Sequence, residues 1–362
     1  MTITDAARAP FRGNQPKTTA ELDAWHAGAP SEEALEPELP IIDPHHHLYD
    51  SPATGSRYMY PDLLADLDCG HNIVATVYVE AYHSMWRAGG DEAMRSVGEI
   101  EFARGVGAMA DSGIYGSCRV AASIVGFADL SLGDRVVPVL DAMAEAGGGR
   151  LRGIRHCSAY DPGVIGALIK HKAPEHLLLD PEFQKGFAQL ARAGLSFDGW
   201  MYHTQIDEWA RLAARFPDTT MVLDHVGGVK GVSEYPGYQT AFKEWRAGIE
   251  ALVPYSNVHI KVGGMGMAVF GFGFEQGRQP AGSEALARAW KPYIDSCLDL
   301  FGPERCMFES NFPVDKQSCG YTELWNAFKI VSAALSPDER KALFHDTAAR
   351  VYRVATPSST AL

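Results

Sequence analysis

The chain has 362 residues, 46% of them hydrophobic and 10% aromatic, which is enough to bury a large core within one domain. Its 45 Asp and Glu outnumber its 32 Lys and Arg, and the resulting formal charge of −13 disfavours nucleic acid and anionic membranes as partners and favours a small-molecule substrate. The six cysteines form no Cys-x-x-Cys pair, so we expect reduced thiols rather than a zinc ribbon or a disulfide framework.

The sequence divides into an arm, one domain and a short tail. Residues 1–38 are rich in Ala, Pro and Glu, and we interpret them as an N-terminal arm that covers a neighbouring chain or one end of the core. Residues 39–354 form the predicted domain, and residues 355–362 form a tail. We find neither a secretory signal nor an apolar run of the roughly 18 residues that a membrane span requires, so we expect a cytoplasmic protein, monomeric or homo-oligomeric.

Short apolar runs alternate with amphipathic helical stretches from Pro40 onward, a pattern typical of βα units around a parallel sheet. The alternation continues through eight strand-like runs, which favours a closed (β/α)8 TIM barrel over an open sheet. In chain order the predicted strands are LPIID, IVATVYVEAY, VAASIVGF, LRGIRH, LSFDGWMYH, TMVLDH, NVHIKVGG and RCMFES.

The first predicted strand leads into three consecutive histidines, His45, His46 and His47. Residues two apart on a strand face the same side, so His45 and His47 have the spacing of a chelating pair while His46 faces away. Imidazole is a suitable ligand for zinc and related divalent metals. His203, at the end of the fifth predicted strand, is the natural third ligand, and the alternative for it is a histidine held in place by ordinary hydrogen bonds.

Further polar side chains stand at the ends of later strands, where a barrel enzyme carries its chemistry. His225 could polarise a carbonyl group or transfer a proton, with Asp224 as a packing or orienting neighbour. The alternative for His225 is a hydrogen bond that caps the strand.

Arg155, at the end of the fourth predicted strand, could hold a carboxylate or carbonyl oxygen of the substrate. The alternative is a structural ion pair with a barrel carboxylate such as Glu80. Lys261 is ambiguous in the same way. Together with Tyr49, these residues are the candidate substrate-binding group.

The segment GFGFEQG after the seventh strand begins like a dinucleotide-binding loop. Gln276 stands where that motif needs glycine and the βαβ context is missing, which excludes a nucleotide site. Phe270, Phe272 and Phe274 either line a pocket or form the loop's own small core.

Five motifs in this order resemble those of the amidohydrolase superfamily, specifically the amidohydrolase-2 group that contains lactonases acting on sugar lactones and on 2-pyrone-4,6-dicarboxylate. They are IIDPHHHLYD, LRGIRH, the fifth-strand His203, MVLDHVGG and RCMFESNFPVD, and the similarity extends through LFHDTAARVYRV to Val354. The resemblance implies a distorted (β/α)8 barrel, hydrolysis of a lactone or related ester and, in many members though not all, a divalent metal such as zinc. It also implies that His45, His47 and His203 are ligands of the metal or of substrate oxygens, that His225 assists catalysis and that Arg155 anchors the substrate.

The last motif departs from the family pattern. Where the family has Gly-Ser-Asp-Trp-Pro, with the Asp binding metal and activating water, this chain has Glu309, Ser310, Asn311, Phe312 and Pro313. Glu309 lies two residues before Asn311, so a strand would place both on the same face. We therefore expect Glu309 to supply the carboxylate of the general base and Asn311 to assist it.

These features favour a hydrolase that opens a lactone ring of a small carboxylated substrate by means of an activated water. A metal-dependent nonoxidative decarboxylase of the same superfamily is the first alternative. A non-catalytic binding barrel is the second alternative.

Overall fold

Eight parallel strands follow one another around a ring in chain order, which confirms the predicted distorted (β/α)8 barrel. A computed structural model describes residues 11–30, 32–81, 83–169, 172–232 and 237–355, without the side chains of residues 237–239. Residues 1–10 of the predicted arm and 356–362 of the predicted tail lie outside the described residues. The barrel strands are β1 (Ile41–His46), β2 (Ile73–Val79), β3 (Arg119–Gly126), β4 (Leu151–Arg155), β5 (Ser196–Gly199), β6 (Met221–Leu223), β7 (Val258–Val262) and β8 (Cys306–Phe308), and a separate hairpin pairs Tyr49–Ser51 with Ser56–Tyr58.

Helices connect the strands and bury their apolar faces against the outside of the ring. The α-helices are α1 (Thr19–Ala27), α2 (Tyr60–Leu67), α3 (Val97–Asp111), α4 (Val137–Gly147), α5 (Val164–Ala167), α6 (Pro181–Ala193), α7 (Ile206–Arg215), α8 (Gly237–Glu250), α9 (Ser283–Phe301), α10 (Tyr321–Val331), α11 (Pro337–Lys341) and α12 (Thr347–Val351). Short 3₁₀ segments cover Glu92–Met94, Leu130–Val136, Leu177–Leu179, His203–Gln205, Asp224–Gly227, Ala268–Phe270, Phe274–Gln276, Pro303–Arg305 and Asp315–Gln317, and a π-helical turn covers Ala342–Asp346. Within the described ranges, none of the helices has the length and apolar character that crossing a bilayer requires.

The interior of the barrel has an apolar half and a polar half. Ile42, Val222 and Met307 pack inside the ring against Tyr352, which follows α12. The Tyr352 hydroxyl donates to Asp198 at 2.5 Å. The C-terminal segment therefore closes the end at which the strands begin, and the polar side chains face the loops at the other end.

The seam between β1 and β8 closes the ring. The backbone N–H of Asn311 donates to the carbonyl oxygen of His45 at 2.9 Å. The Ser310 hydroxyl donates to the buried carboxylate of Asp43 at 2.6 Å. These bonds fix the histidine segment against the segment that carries Glu309.

Seven of the eight strands end earlier than the predicted runs, and the difference matters most for site residues at β5 and β8. β5 ends at Gly199, and His203 begins a 3₁₀ turn instead of ending a strand. β8 ends at Phe308, so Glu309 and Asn311 follow the strand, and Asn311 has a left-handed φ of 53°. Because a strand's two-residue alternation does not apply there, the expectation that Glu309 and Asn311 share a face fails, and the two side chains have different surroundings.

Candidate active site

A cavity of about 520 Å³ opens at the end of the barrel where the strands end. Five predicted site residues line it: His47, Tyr49, Arg155, His225 and Asn311. The other predicted site residues are buried but do not form its wall: His45, Glu80, His203, Lys261 and Glu309.

The three phenylalanines of the loop after β7 pack on one another. The ring centres of Phe270 and Phe272 are 6.1 Å apart, and those of Phe272 and Phe274 are 5.8 Å apart. None of the three lines the cavity. They pack against the main hydrophobic core, where Phe270 and Phe272 contact Tyr293 of α9, so neither the pocket wall nor a separate loop core describes them.

His45 and His47 approach each other as their spacing predicts. Their Nε2 atoms are 3.1 Å apart, and Nδ1 of His47 lies 3.0 Å from the carbonyl oxygen of Val79. Because that carbonyl only accepts, Nδ1 of His47 carries the proton and its Nε2 is the basic nitrogen. Burial lowers the pKa of both rings well below the ordinary value, so they are neutral near pH 7. His46 points the other way, with its Nε2 2.8 Å from Oγ1 of Thr76.

His225 and Glu309 form a hydrogen-bonded pair beneath the cavity. Oε1 of Glu309 lies 2.7 Å from Nδ1 of His225 and accepts the backbone N–H of the same residue at 3.2 Å. Burial raises the pKa of the Glu309 carboxyl well above its ordinary value, and it lowers the pKa of His225 to about 3. A neutral imidazole held at Nδ1 by a carboxyl group can use its Nε2 as a proton acceptor at the cavity wall.

The local backbone brings His225 to Glu309. His225 and Val226 have φ values of 54° and 48°, in the left-handed region that β-branched residues rarely adopt. Gly264 has a φ of 65°, and a Cβ placed on it would come within 2.3 Å of Nδ1 of His225. A Cβ on Gly263 would come within 2.4 Å of Cγ of Glu309. The two glycines after β7 therefore make room for the pair.

Two cations balance the carboxylates in the polar half of the barrel. Arg155 places Nε 2.9 Å from Asp224 and Nη1 3.1 Å from Glu80. Lys261 places Nζ 2.8 Å from Asp198 and 3.1 Å from Asp224. Burial acts to raise the pKa of Asp224, but Lys261 and the other neighbouring cationic groups hold this pKa well below its ordinary value. The structural ion pair considered for Arg155 is present, although Arg155 also lines the cavity.

Asn311 connects the cavity wall to a second buried carboxylate. Its Nδ2 donates to Oδ1 of Asp315 at 2.8 Å. The other oxygen of Asp315 accepts the backbone N–H of Gly266 at 2.8 Å, and burial raises the pKa of this carboxyl well above its ordinary value. Asn311 thus binds Asp315, which in turn binds the loop after β7, and its amide is not bonded to Glu309.

His203 does not join the other two predicted metal ligands. Its Nδ1 accepts the backbone N–H of Lys230 at 3.2 Å, and its Nε2 lies 3.9 Å from the carboxylate of Glu244. Burial lowers its pKa to about 4. Because a turn carries His203 beyond the end of β5, its ring is not aimed along the strand, and the structure does not bring His45, His47 and His203 into one three-ligand group among the residues that it describes.

A different group of three donors fits a divalent metal. Within the described ranges, the ligand atoms of His45, His225 and Glu309 lie within 4.8 Å of one another. Oε2 of Glu309 lies 3.0 Å from Nδ1 of His45, yet this buried oxygen has no partner in hydrogen-bond geometry among those residues. Because an unsatisfied buried carboxylate oxygen is costly, a cation such as zinc would stabilise it.

Sequence reasoning missed two acidic residues and part of the arm. Asp198 lies in the fifth strand and Asp43 lies just before the histidines, and both are fully buried. A charged residue inside an otherwise apolar strand run is the signal that could have identified them. Residues 11–15 also line the cavity, as expected of an arm that covers one end of the core, but no signal in their composition identified them as site residues.

Matches to known proteins cover most of the chain. The family described as amidohydrolase matches residues 42–354. The uncharacterized protein y4mH of Sinorhizobium fredii is 33% identical over 338 residues, which cover 88% of this chain and 99% of that protein. An L-fucono-1,5-lactonase of Burkholderia multivorans is 28% identical over 333 residues, which cover 89% of this chain and 98% of the lactonase. A crystal structure of a Burkholderia multivorans amidohydrolase with bound zinc matches with a TM-score of 0.65 at 27% identity, over 87% of this chain and 99% of that one.

Proposed function

Because the chain belongs to the amidohydrolase family and is an enzyme of that type, we propose that it hydrolyses a lactone or related cyclic ester of a small, carboxylated organic substrate. The observation that carries this proposal is the neutral His225 at the cavity wall, backed by Glu309 at 2.7 Å. The similarity to a lactonase over nearly the full length of both chains supports it.

His225 and Glu309 perform the proton transfer in this proposal. His225 accepts a proton from the attacking water, the water oxygen adds to the ring carbonyl carbon, and the ring C–O bond breaks as the proton passes to the leaving oxygen. Glu309 orients the ring through Nδ1 and stabilises the imidazolium that forms. Arg155, at the cavity wall, favours the negative charge that develops on the carbonyl oxygen.

A divalent metal would be held by His45, His225 and Glu309, and it would supply Lewis-acid polarisation of the carbonyl group. His225 cannot both ligate a metal and accept a proton. The metal content of the active protein therefore decides which of the two roles this residue has.

The test combines a substrate screen with metal analysis. Purified protein is assayed for proton release with sugar lactones and carboxylated lactones, and for carbon dioxide release with aromatic acids, while bound metal is measured. We expect lactone hydrolysis. Carbon dioxide release without lactone hydrolysis would contradict the proposal and identify a decarboxylase, which needs no attacking water.

His225→Asn is the matched variant for this screen. Asparagine tolerates the left-handed φ and keeps a side-chain N–H for Glu309, but it lacks the second ring nitrogen. We expect kcat/KM to fall by about 10² to 10⁴ with the fold retained. Wild-type turnover in this variant would remove His225 from the mechanism.

A further inference from the structure

The N-terminal arm forms one side of the cavity. Its contribution to the wall consists of Phe11, Arg12, Gly13, Asn14 and Gln15. The family match begins at residue 42, so this side of the pocket comes from a segment outside the region shared with the family. The arm is therefore a place where this chain can differ from its relatives in what it binds.

Hydrogen bonds hold the arm to two sides of the cavity mouth. Oδ1 of Asn14 accepts the backbone N–H of Val269, in the loop after β7, at 3.1 Å. Nε2 of Gln15 donates to the hydroxyl of Tyr49, which follows β1, at 2.6 Å. The arm thus bridges loops that belong to different strands.

Lys17 fixes the arm to the loop after β8. Its backbone N–H donates to Oε1 of Gln317 at 3.0 Å, and Nε2 of Gln317 donates back to the Lys17 carbonyl oxygen at 2.9 Å. The Lys17 ammonium lies 4.1 Å from the centre of the Trp25 ring, and Nε1 of Trp25 donates to the carbonyl oxygen of Gly277 at 3.0 Å. These contacts give the arm a defined path and present Arg12 to the cavity.

Arg12 differs from Arg155 in its partners. Nη2 of Arg12 donates to the carbonyl oxygen of Pro16 at 3.3 Å, and no carboxylate of the described residues lies within 4.0 Å of its guanidinium. Arg155 is bound by both Glu80 and Asp224. Among the described residues of the cavity wall, Arg12 therefore carries the guanidinium whose charge is available to an anionic ligand.

We propose that the arm completes the substrate pocket and that Arg12 binds a carboxylate of the substrate. This proposal rests on the proposed lactone hydrolysis. It assigns to the arm the preference for carboxylated over uncharged lactones. A guanidinium fork matches a carboxylate in geometry as well as in charge, which suits it to this selection.

Arg12→Gln tests the proposal through selectivity. The ratio of kcat/KM for a carboxylated lactone to that for an uncharged lactone should fall about tenfold, chiefly through KM. Arg211→Gln is the matched control, because Arg211 is exposed on α7, pairs with Asp207 at 3.5 Å and does not line this cavity. The control should keep the wild-type ratio.

Binding of isophthalate, a planar dicarboxylate that cannot be hydrolysed, separates this inference from the proposed function. Trp200 lines the cavity, so tryptophan fluorescence can report the binding. We expect the Kd to rise about tenfold in Arg12→Gln and to stay at the wild-type value in Arg211→Gln. If the wild type hydrolyses no lactone but shows this difference, the proposed function fails and the carboxylate anchor stands. Equal isophthalate affinity in the wild type and Arg12→Gln overturns the anchor, whatever the lactone assay gives.

Discussion

Glu309 and Asn311 occupy the positions where the family motif has glycine and aspartate. The carboxylate is withdrawn from the cavity wall, and the amide stands there instead. Because Glu309 lies 2.7 Å from His225 and is fully buried, it acts on the imidazole and not on the substrate directly. The residue that meets the substrate is then His225, with Glu309 as its orienting partner.

Glu309→Gln should lower kcat by about 10² to 10⁴, since an amide cannot stabilise the imidazolium of His225. Unfolding by urea should show that the fold persists. Glu304→Gln, an exposed position before β8, is the control and should behave as wild type. Full activity in Glu309→Gln would contradict the role of Glu309 as the orienting partner of His225.

Arg155→Lys should lower the free energy of unfolding by about 1 to 3 kcal/mol, because an ammonium lacks the fork that contacts both Glu80 and Asp224, so one of these buried carboxylates loses a cationic contact. Arg152→Lys, on the same strand, is the control, since Arg152 donates to the carbonyl oxygen of Leu151. Urea unfolding and KM are measured together. A raised KM in Arg155→Lys would show that Arg155 contacts the substrate in addition to forming ion pairs. An unchanged free energy of unfolding would contradict the structural role of these ion pairs.

At the level of elements, the loop after β7 determines where His225 can lie. Gly264→Ala should cost stability through its positive φ and also displace the His225 ring, so that kcat falls at least tenfold. Gly113 has a φ of 73°, and a Cβ placed on it would meet no neighbouring atom, so Gly113→Ala tests the backbone cost alone. Equal kcat in the two variants at matched folded fraction would contradict the steric argument.

The order of the strands was predictable from the sequence, whereas the conformation just beyond them was not. Alternation of apolar runs with helices identifies each βα unit, and β1 carries His45 where the pattern places it. Beyond a strand end, side-chain direction depends on the local backbone, as the positive φ values of His225 and Asn311 show. His225 packs against Gly264, and Asn311 donates to Asp315. Gly264 belongs to a different loop from His225, and Asp315, although four residues after Asn311, is held by Gly266 of the loop after β7. No local pattern indicates these contacts, and His203 was misplaced for the same reason.

At the scale of the whole molecule, one buried acid couples stability to pH. Glu99 accepts hydrogen bonds from the Tyr78 hydroxyl at 2.8 Å, the Ala81 backbone N–H at 2.7 Å and Nε1 of Trp86 at 3.1 Å. Burial, with a contribution from the nearby Glu80, raises its pKa from 4.5 to about 8. Between these two values the folded chain holds a proton that the unfolded chain has lost, so stability falls as pH rises through this window.

Glu99→Gln should remove that part of the pH dependence, which amounts to at most about 1.4 kcal/mol per pH unit. Urea unfolding at pH 5.5, 6.5 and 7.5 measures the slope. Glu101→Gln is the control on the same helix, since Glu101 is exposed and paired with Arg87. Identical slopes in the wild type and Glu99→Gln would show that Glu99 is ionised throughout the range.

The seam between β1 and β8 has a consequence for how the protein is made. Asp43 and Ser310, which meet there, are 267 residues apart in the chain. At ordinary translation rates the ribosome needs roughly 10 to 50 s to cover that distance, and during that time the histidine strand has one edge without its final neighbour. A nascent chain that stops before β8 carries His45 and His225 but no Glu309, so it exposes an open sheet edge and has no catalytic pair. Enzyme activity in an extract therefore reports completed synthesis, whereas an antibody against the histidine segment would also count the fragments.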